Sequence, residues 1–186
     1  MARFIAADLG VPAEVWRLAD EAGDIDVLVN NGGFSWFGPT ADLGIDKFDA
    51  LFATNVRAPY ILVGAIAPKI VAKGTGSIIN LSSMVGQIGL AGSAAYSATK
   101  AAMSSMTRAW AAEFSSSGVR VNAIAPGPVF TGGATPERIE ALGSTTLLKR
   151  AATPDEIAVV ISFLASPLSS YVTGAIIAAD GGRSAI

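Results

Sequence analysis

Short apolar runs alternate along the chain with longer segments of helical periodicity. Strands of a parallel sheet that is buried on both faces are apolar throughout, whereas the covering helices carry an apolar stripe. The alternation therefore predicts an α/β domain with helices on both faces of a parallel sheet. The predicted strands are 3–7, 26–29, 76–80, 120–124 and 175–179, and the predicted helices begin near Pro12, Ile45, Ser93 and Pro154.

Two local patterns refine the last third of the chain. Thr153 followed by Pro154 and Glu156 is a capping box with proline at the first helical position, which predicts where the last helix starts. Residues 130–150 are rich in glycine and threonine and contain a short helical pattern at 136–142. We expect this segment to be a mobile flap or a loop over a site.

Composition limits the classes of function. The 186 residues are 51% hydrophobic, which suits one domain over 1–186 with a hydrophobic core. The net charge is −2, which argues against binding to nucleic acid. The absence of cysteine and histidine excludes disulfides, the Ser-His-Asp triad and the usual zinc sites, so no metal site is expected. No leader and no uncharged apolar run of about 18 residues is visible. We therefore expect a cytoplasmic protein that does not cross a membrane.

A serine, a tyrosine and a lysine are the strongest candidates for chemistry. Tyr96 and Lys100 are four residues apart, so both can point from one helix face into one site. A nearby cation stabilises phenolate, and we expect it to lower the pKa of Tyr96 below its usual value of about 10. Ser83 follows the strand at 76–80, at the edge where open α/β sheets place their sites.

Asn55 continues an apolar helical stripe. Phe48, Leu51 and Phe52 precede it at spacings that place all four on one face. An amide buried there must be hydrogen-bonded. Asn55 either closes a helix kink before Pro59 or holds an ordered water near the site.

Two loops follow predicted strands. Asn30-Asn31-Gly32-Gly33 comes directly after the strand at 26–29, and its glycines permit a ligand to approach the backbone. The segment 126–131, Pro-Gly-Pro-Val-Phe-Thr, follows the strand at 120–124 and brings a rigid turn with a threonine hydroxyl to the same edge. Each loop taken alone is equally compatible with a plain turn.

Together these features resemble the short-chain dehydrogenase/reductases, over about residues 4–182. The resemblance implies a three-layer, Rossmann-like, doubly wound sheet and carbonyl/alcohol chemistry with NAD or NADP. It implies that Tyr96 is the acid/base, that Lys100 lowers its pKa and holds the nicotinamide ribose, and that Ser83 orients the substrate carbonyl. It also implies that Asn55 holds a proton-relay water. The implied cofactor contacts are Asp8, Asn30, Gly32, Gly33, Val129 and Thr131.

The resemblance is truncated at the front. Family members begin with a strand, a glycine-rich turn, a helix and a second strand, and this chain has no counterpart for them. The missing turn is the one that cradles the cofactor pyrophosphate. We therefore expect weak cofactor binding, or none. The missing strands also leave an apolar edge on the strand at 26–29, which the strand at 3–7 or another chain could cover.

Two other functions are compatible with the same residues. A cofactor-independent esterase could use Ser83 or Ser97 as nucleophile with Tyr96 and Lys100, because Ser97-x-x-Lys100 also resembles the motif of serine acyl-transfer enzymes. The chain could also be an inactive fragment or an interaction module. In each case the partner is expected to be a small molecule or a second copy of the chain, since the long helices have apolar surface on more than one side.

Overall fold

A four-stranded parallel sheet forms the centre of the protein. The computed structural model describes residues 2–186, and the strands are neighbours in the order β1-β2-β3-β4. Every pair is parallel, which confirms the predicted α/β class. The strands are β1 (Val27–Asn30), β2 (Gly76–Leu81), β3 (Val119–Pro126) and β4 (Ile176–Ala179).

Six α-helices connect and cover the strands in the described part of the chain. The predicted helix starts are correct to within one residue, and the capping box forms, with the Thr153 N–H donating to the Glu156 carboxylate over 2.9 Å. A five-residue π-helical turn, Ala53–Arg57, joins two of the helices. The helices are α1 (Pro12–Ala22), α2 (Ile45–Phe52), α3 (Ala58–Lys73), α4 (Ala94–Phe114), α5 (Pro136–Gly143) and α6 (Pro154–Ala165).

The sheet is packed on both faces. Ile78 and Val121 point toward α1, α3 and α4 and belong to the larger apolar cluster. Leu81 and Ile124 point to the opposite face, where they pack against Ile157 of α6. Alternate strand residues therefore enter two separate cores, which is the three-layer arrangement predicted from the apolar runs.

The predicted strand at 3–7 is wrong. These residues have no strand partner and lie beside α1, where Arg3 contacts Glu21 and the Arg17 guanidinium donates to the carbonyl of Ala6 over 2.6 Å. A strand exists only if a neighbouring strand accepts its hydrogen bonds, and 3–7 reaches no sheet edge here. The outer edge of β1 accordingly stays unpaired within residues 2–186, with Val27 and Val29 exposed by 36% and 39%.

One continuous helical stretch is apolar enough to cross a membrane by length and composition. It runs over Ile45–Lys73, with a mean hydropathy of 1.4 in its most apolar window. Charged residues interrupt the stretch, so it contains no uncharged run of about 18 residues. Leu62, Val63 and Ile66 of this helix are buried in the larger cluster of the domain. Burial in the core accounts for part of its apolar character, since 44% of the most apolar window is buried.

Candidate active site

Tyr96 and Lys100 lie on the first turns of α4 beside the carboxyl end of β2. The Lys100 amine lies 5.6 Å from the centre of the Tyr96 ring, so the two side chains share one face as the spacing predicted. The turn at Met84–Gly86 packs tightly on α4, because a Cβ on Gly86 would lie 2.9 Å from the Lys100 carbonyl carbon. This close contact fixes α4 against the end of β2.

Lys100 is buried without a charged partner. The residue is only 7% exposed, and its amine donates to the Leu81 carbonyl over 2.8 Å. No carboxylate in residues 2–186 forms an ion pair with it. Burial disfavours the charged ammonium and lowers the pKa of Lys100 to about 8.

The predicted lowering of the Tyr96 pKa is wrong. Burial raises the pKa of Tyr96 because it disfavours the phenolate, and the Ser83 side chain opposes this shift without cancelling it. The Lys100 amine makes its hydrogen bond to Leu81 instead and does not contact the phenol oxygen. At neutral pH Tyr96 is therefore a phenol that can donate a proton.

Ser83 lies at the carboxyl end of β2, as predicted, and is partly exposed. Its hydroxyl caps the following turn by accepting from the Val85 N–H at 3.4 Å. Ser97 is arranged differently from what the Ser-x-x-Lys pattern suggested. Its hydroxyl pairs with that of Ser93 over 2.8 Å, whereas the Lys100 amine is bonded to Leu81.

Asn55 is buried to 98% within the π-helical turn and ties three elements together. Its amide NH₂ donates to the Phe34 carbonyl over 2.8 Å and to the Thr99 hydroxyl over 3.2 Å. Its amide oxygen accepts from the Phe34 N–H over 3.1 Å. The protein itself thus uses both donors, which leaves one lone pair of the amide oxygen for the predicted water.

The glycines after β1 are packed against the chain itself. A Cβ on Gly32 would lie 2.6 Å from the end of the Leu9 side chain, which can move aside, and one on Gly33 would lie 2.7 Å from the hydrogen-bonded Asn55 amide oxygen. Close packing therefore explains Gly33, and the predicted contact of both glycines with a cofactor stays a prediction.

Asn30 begins a buried polar chain across the sheet. Its amide donates to Asn80 over 2.8 Å, and Asn80 donates to Thr107 over 2.9 Å. The amide oxygen of Asn30 is buried and has no hydrogen-bond partner. Such an acceptor at the carboxyl end of the edge strand is unusual and fits a donor supplied by a ligand or a water.

The remaining predicted cofactor contacts lie on other segments of the chain. The Asp8 carboxylate accepts from the Gly10 N–H over 2.8 Å in the turn before α1. Val129 forms an isolated bridge with Ala152 and is partly buried, while Thr131 is exposed at the start of the 130–150 segment. Helix α5 lies inside that segment, at the position of the predicted short helix.

The sequence did not single out the aromatic wall of the site. Phe37 makes an edge-to-face contact with Tyr96, with ring centres 5.6 Å apart, and the Arg138 guanidinium of α5 lies 5.2 Å from the centre of the Phe37 ring. Phe37 follows the two glycines by a few residues, in a loop with no periodic pattern. Proximity to the glycine motif was the only signal that could have identified it.

The described residues fit only one half of a nicotinamide cofactor. Tyr96, Lys100 and the unpartnered Asn30 oxygen offer donors and an acceptor at the carboxyl edge of the sheet. In residues 2–186, however, no glycine-rich turn joins the end of a strand directly to the start of an α-helix. The site thus fits the nicotinamide and ribose, and it does not fit the pyrophosphate. The described part of the chain also has no cluster of three or more acidic side chains that could hold a metal.

Comparison with known proteins gives the family. A family model described as enoyl-(acyl carrier protein) reductase matches residues 3–184. The chain is 39% identical to the 3-oxoacyl-[acyl-carrier-protein] reductase FabG of Thermotoga maritima over 172 residues, 90% of this chain and 70% of that protein.

Solved structures give the same result. The fold superposes with a TM-score of 0.92 on a short chain dehydrogenase/reductase family protein that is 47% identical, over 100% of this chain and 78% of that one. A blue fluorescent protein from a metagenomic library, in complex with NADPH, is 36% identical with a TM-score of 0.90, over 95% of this chain and 74% of that one. This chain belongs to the short-chain dehydrogenase/reductase family.

Proposed function

We propose that this chain is an oxidoreductase that interconverts a carbonyl compound and its alcohol at Ser83, Tyr96 and Lys100. The observation that supports this most is the position of the Tyr96 phenol beside Ser83, at the carboxyl end of β2, with the Lys100 amine 5.6 Å from its ring. Burial raises the pKa of Tyr96, so the phenol is protonated at neutral pH and suited to act as an acid.

Each residue has a distinct role in the proposal. The partly exposed Ser83 hydroxyl binds the carbonyl oxygen of the substrate, and Tyr96 donates its proton to that oxygen as the alcohol forms. Lys100 presents its amine to the ribose of the cofactor. Asn55 positions the site, because it fixes the Phe34 loop to Thr99 on α4.

A nicotinamide cofactor supplies the hydride when it is bound. The NADPH complex of a relative 36% identical to this chain supports NADP over NAD. We propose that this chain binds the cofactor weakly. Each charge-assisted hydrogen bond to a pyrophosphate contributes about 1.5–3 kcal/mol, and losing several of them raises the dissociation constant far above the micromolar range.

We propose small ketones as substrates, with 3-oxoacyl thioesters as the first class to test. The name of the Thermotoga maritima relative, which is 39% identical, supports this class. Phe37 provides an apolar wall next to Tyr96 that suits the acyl part of such a substrate.

The test is NADPH consumption with a short 3-oxoacyl thioester at millimolar cofactor. We expect the parent to turn over, and Ser83→Ala and Tyr96→Phe to lose roughly 100-fold or more, the usual scale of a general acid. Ser97→Ala is the matched control. It removes a serine hydroxyl from α4, next to Tyr96, and this hydroxyl pairs with Ser93 only. Equal loss in Ser83→Ala and Ser97→Ala, or no effect of Tyr96→Phe, would contradict the proposal.

The alternatives predict other outcomes with the same proteins. An esterase would release nitrophenol from a short-chain ester and lose that activity in Ser83→Ala or Ser97→Ala. No observation favours it, since the raised pKa of Tyr96 disfavours the phenolate base and the Ser97 hydroxyl pairs with Ser93 rather than with Lys100. An inactive fragment would show neither activity while remaining folded.

We also propose a homo-oligomer in the cytoplasm. Tyr60 of α3 is 62% exposed and makes a tilted ring contact with Trp110 of α4, and the β1 edge is unpaired within residues 2–186. These apolar surfaces support association of two copies. Light scattering at micromolar concentration tests this, and a clean monomer would contradict it.

A further inference from the structure

Helix α5 brings a positive charge to the aromatic wall of the site. The Thr135 hydroxyl begins the helix by accepting from the Arg138 N–H over 3.4 Å, and the buried Ile139 anchors it. Arg138 itself is exposed, and its guanidinium lies 5.2 Å from the centre of the Phe37 ring. Phe37 in turn contacts Tyr96. One aromatic ring therefore links this cation to the proposed proton donor.

The charge of Arg138 has no partner in the described part of the chain. Its guanidinium takes part in none of the ion pairs of residues 2–186. The residues three and four positions away, which share its helix face, are all uncharged. A guanidinium presents its N–H donors in a planar fork that matches the two oxygens of a carboxylate. These donors are accessible to a ligand that comes from solvent.

The segments that border Tyr96 contain no negative charge. The loop at 31–39, which carries Phe37, and residues 84–99 have no charged side chain. A second cation, Lys47 of α2, lies 5.8 Å from the centre of the Phe34 ring in the same loop, and it also forms no ion pair within residues 2–186. The whole chain has a net charge of −2, so these two cations are a local feature of the site. They attract an anionic substrate.

We propose that the preferred substrates, among the small ketones proposed above, are those that carry a carboxylate, and that Arg138 binds this carboxylate. The inference rests on the proposed oxidoreductase function and names its substrate class. Phe37 is 38% exposed and Tyr96 is partly exposed, so the carbon chain of the substrate can lie along the Phe37 ring, between the guanidinium and the phenol. A single guanidinium matches the single charge of a carboxylate.

The rate test compares 4-oxopentanoate with its methyl ester, which has the same ketone and no charge. The readout is the ratio of kcat/KM for the acid to kcat/KM for the ester, at millimolar NADPH. Arg138→Met keeps an apolar side chain on Phe37 and removes the charge. We expect it to lower the ratio roughly three- to tenfold, mainly through KM of the acid, and Arg138→Lys to restore part of the ratio.

Two controls accompany the rate test. Arg108→Met should leave the ratio unchanged, because Arg108 is exposed, forms no ion pair within residues 2–186 and lies twelve residues after Tyr96 on α4. Circular dichroism shows whether each variant is folded. Added salt should lower the ratio in the parent and change it less in Arg138→Met, because salt screens an exposed charge.

Chemical modification tests binding of the acid without turnover. Phenylglyoxal reacts with exposed arginines, and peptide mass spectrometry gives the rate of modification at each one. We expect 4-oxopentanoate at millimolar concentration to slow the modification of Arg138 severalfold and to leave that of Arg108 unchanged. The methyl ester should protect neither residue.

The two experiments separate this inference from the function on which it rests. If the parent reduces neither the acid nor the ester, the oxidoreductase function fails for these ketones, and protection of Arg138 alone decides whether the carboxylate binds there. If the parent reduces both and Arg138→Met leaves the ratio unchanged, this inference is overturned and the oxidoreductase function stands. Absence of protection at Arg138 overturns the inference as well.

Discussion

Replacing Asn55 with alanine tests whether one buried amide holds the candidate site together. The change removes three hydrogen bonds at once, two to the backbone of Phe34 and one to Thr99. A hydrogen bond contributes about 1 kcal/mol net, so the loss amounts to about 3 kcal/mol if none is replaced. Phe34 is partly exposed, so water can satisfy part of its backbone, and we expect a loss of about 2–3 kcal/mol.

Urea denaturation followed by circular dichroism measures this loss. With a slope of about 2 kcal/mol/M, the unfolding midpoint should fall by about 1–1.5 M. Asn31→Ala is the matched control, since Asn31 is exposed and its side chain makes no hydrogen bond in the described residues, and exposed substitutions change stability by at most about 0.5 kcal/mol. If the two variants had midpoints within about 0.2 M of each other, the structural role given to Asn55 would be refuted.

Gly33, Tyr96 and the capping box of α6 provide three more tests. Gly33→Ala places a Cβ 2.7 Å from the Asn55 amide oxygen. The substitution should therefore lower the urea unfolding midpoint more in the parent than in the Asn55→Ala variant, where that oxygen is absent. Equal shifts of the midpoint in the two proteins would argue against this contact. Burial raises the pKa of Tyr96, so in a pH titration the phenolate absorbance that the parent has and Tyr96→Phe lacks should reach its midpoint above pH 10. A midpoint below pH 10 would show that the Lys100 cation lowers the pKa of Tyr96, as expected from the sequence. The hydrogen bond from Arg150 lowers the pKa of Glu156 to about 2, so the stabilising contribution of ionised Glu156 is present above about pH 4.5 and is lost as the pH falls toward 2. In Glu156→Gln the free energy of unfolding should therefore depend less on pH between 4.5 and 2 than it does in the parent. The same pH dependence in both proteins would refute this prediction.

The sequence predicted the parts of the fold that depend on local pattern. The four strands of the sheet and the helix starts follow from apolar periodicity, and the Tyr96–Lys100 pair follows from helical spacing. The strand at 3–7 failed because strand formation depends on a neighbour that the pattern of one segment cannot supply.

The chemistry of the site was harder to predict for physical reasons. Whether the pKa of Tyr96 is raised or lowered depends on how deeply the phenol is buried, and the sequence spacing of Tyr96 and Lys100 does not determine that burial. The glycines of the β1 loop suggested a ligand, whereas Leu9 and Asn55 already fill the space beside them. Phe37 reaches Tyr96 through a loop whose path no periodicity describes.

The proposed oxidoreductase function combines carbonyl chemistry at Tyr96 with weak binding of the cofactor. The most direct measurement is the initial rate of 3-oxoacyl thioester reduction as a function of NADPH concentration, from micromolar to millimolar. We predict a rate that rises in proportion to NADPH through the micromolar range and that Tyr96→Phe abolishes. Saturation at low micromolar NADPH, or the absence of a rate at every concentration, would contradict the account.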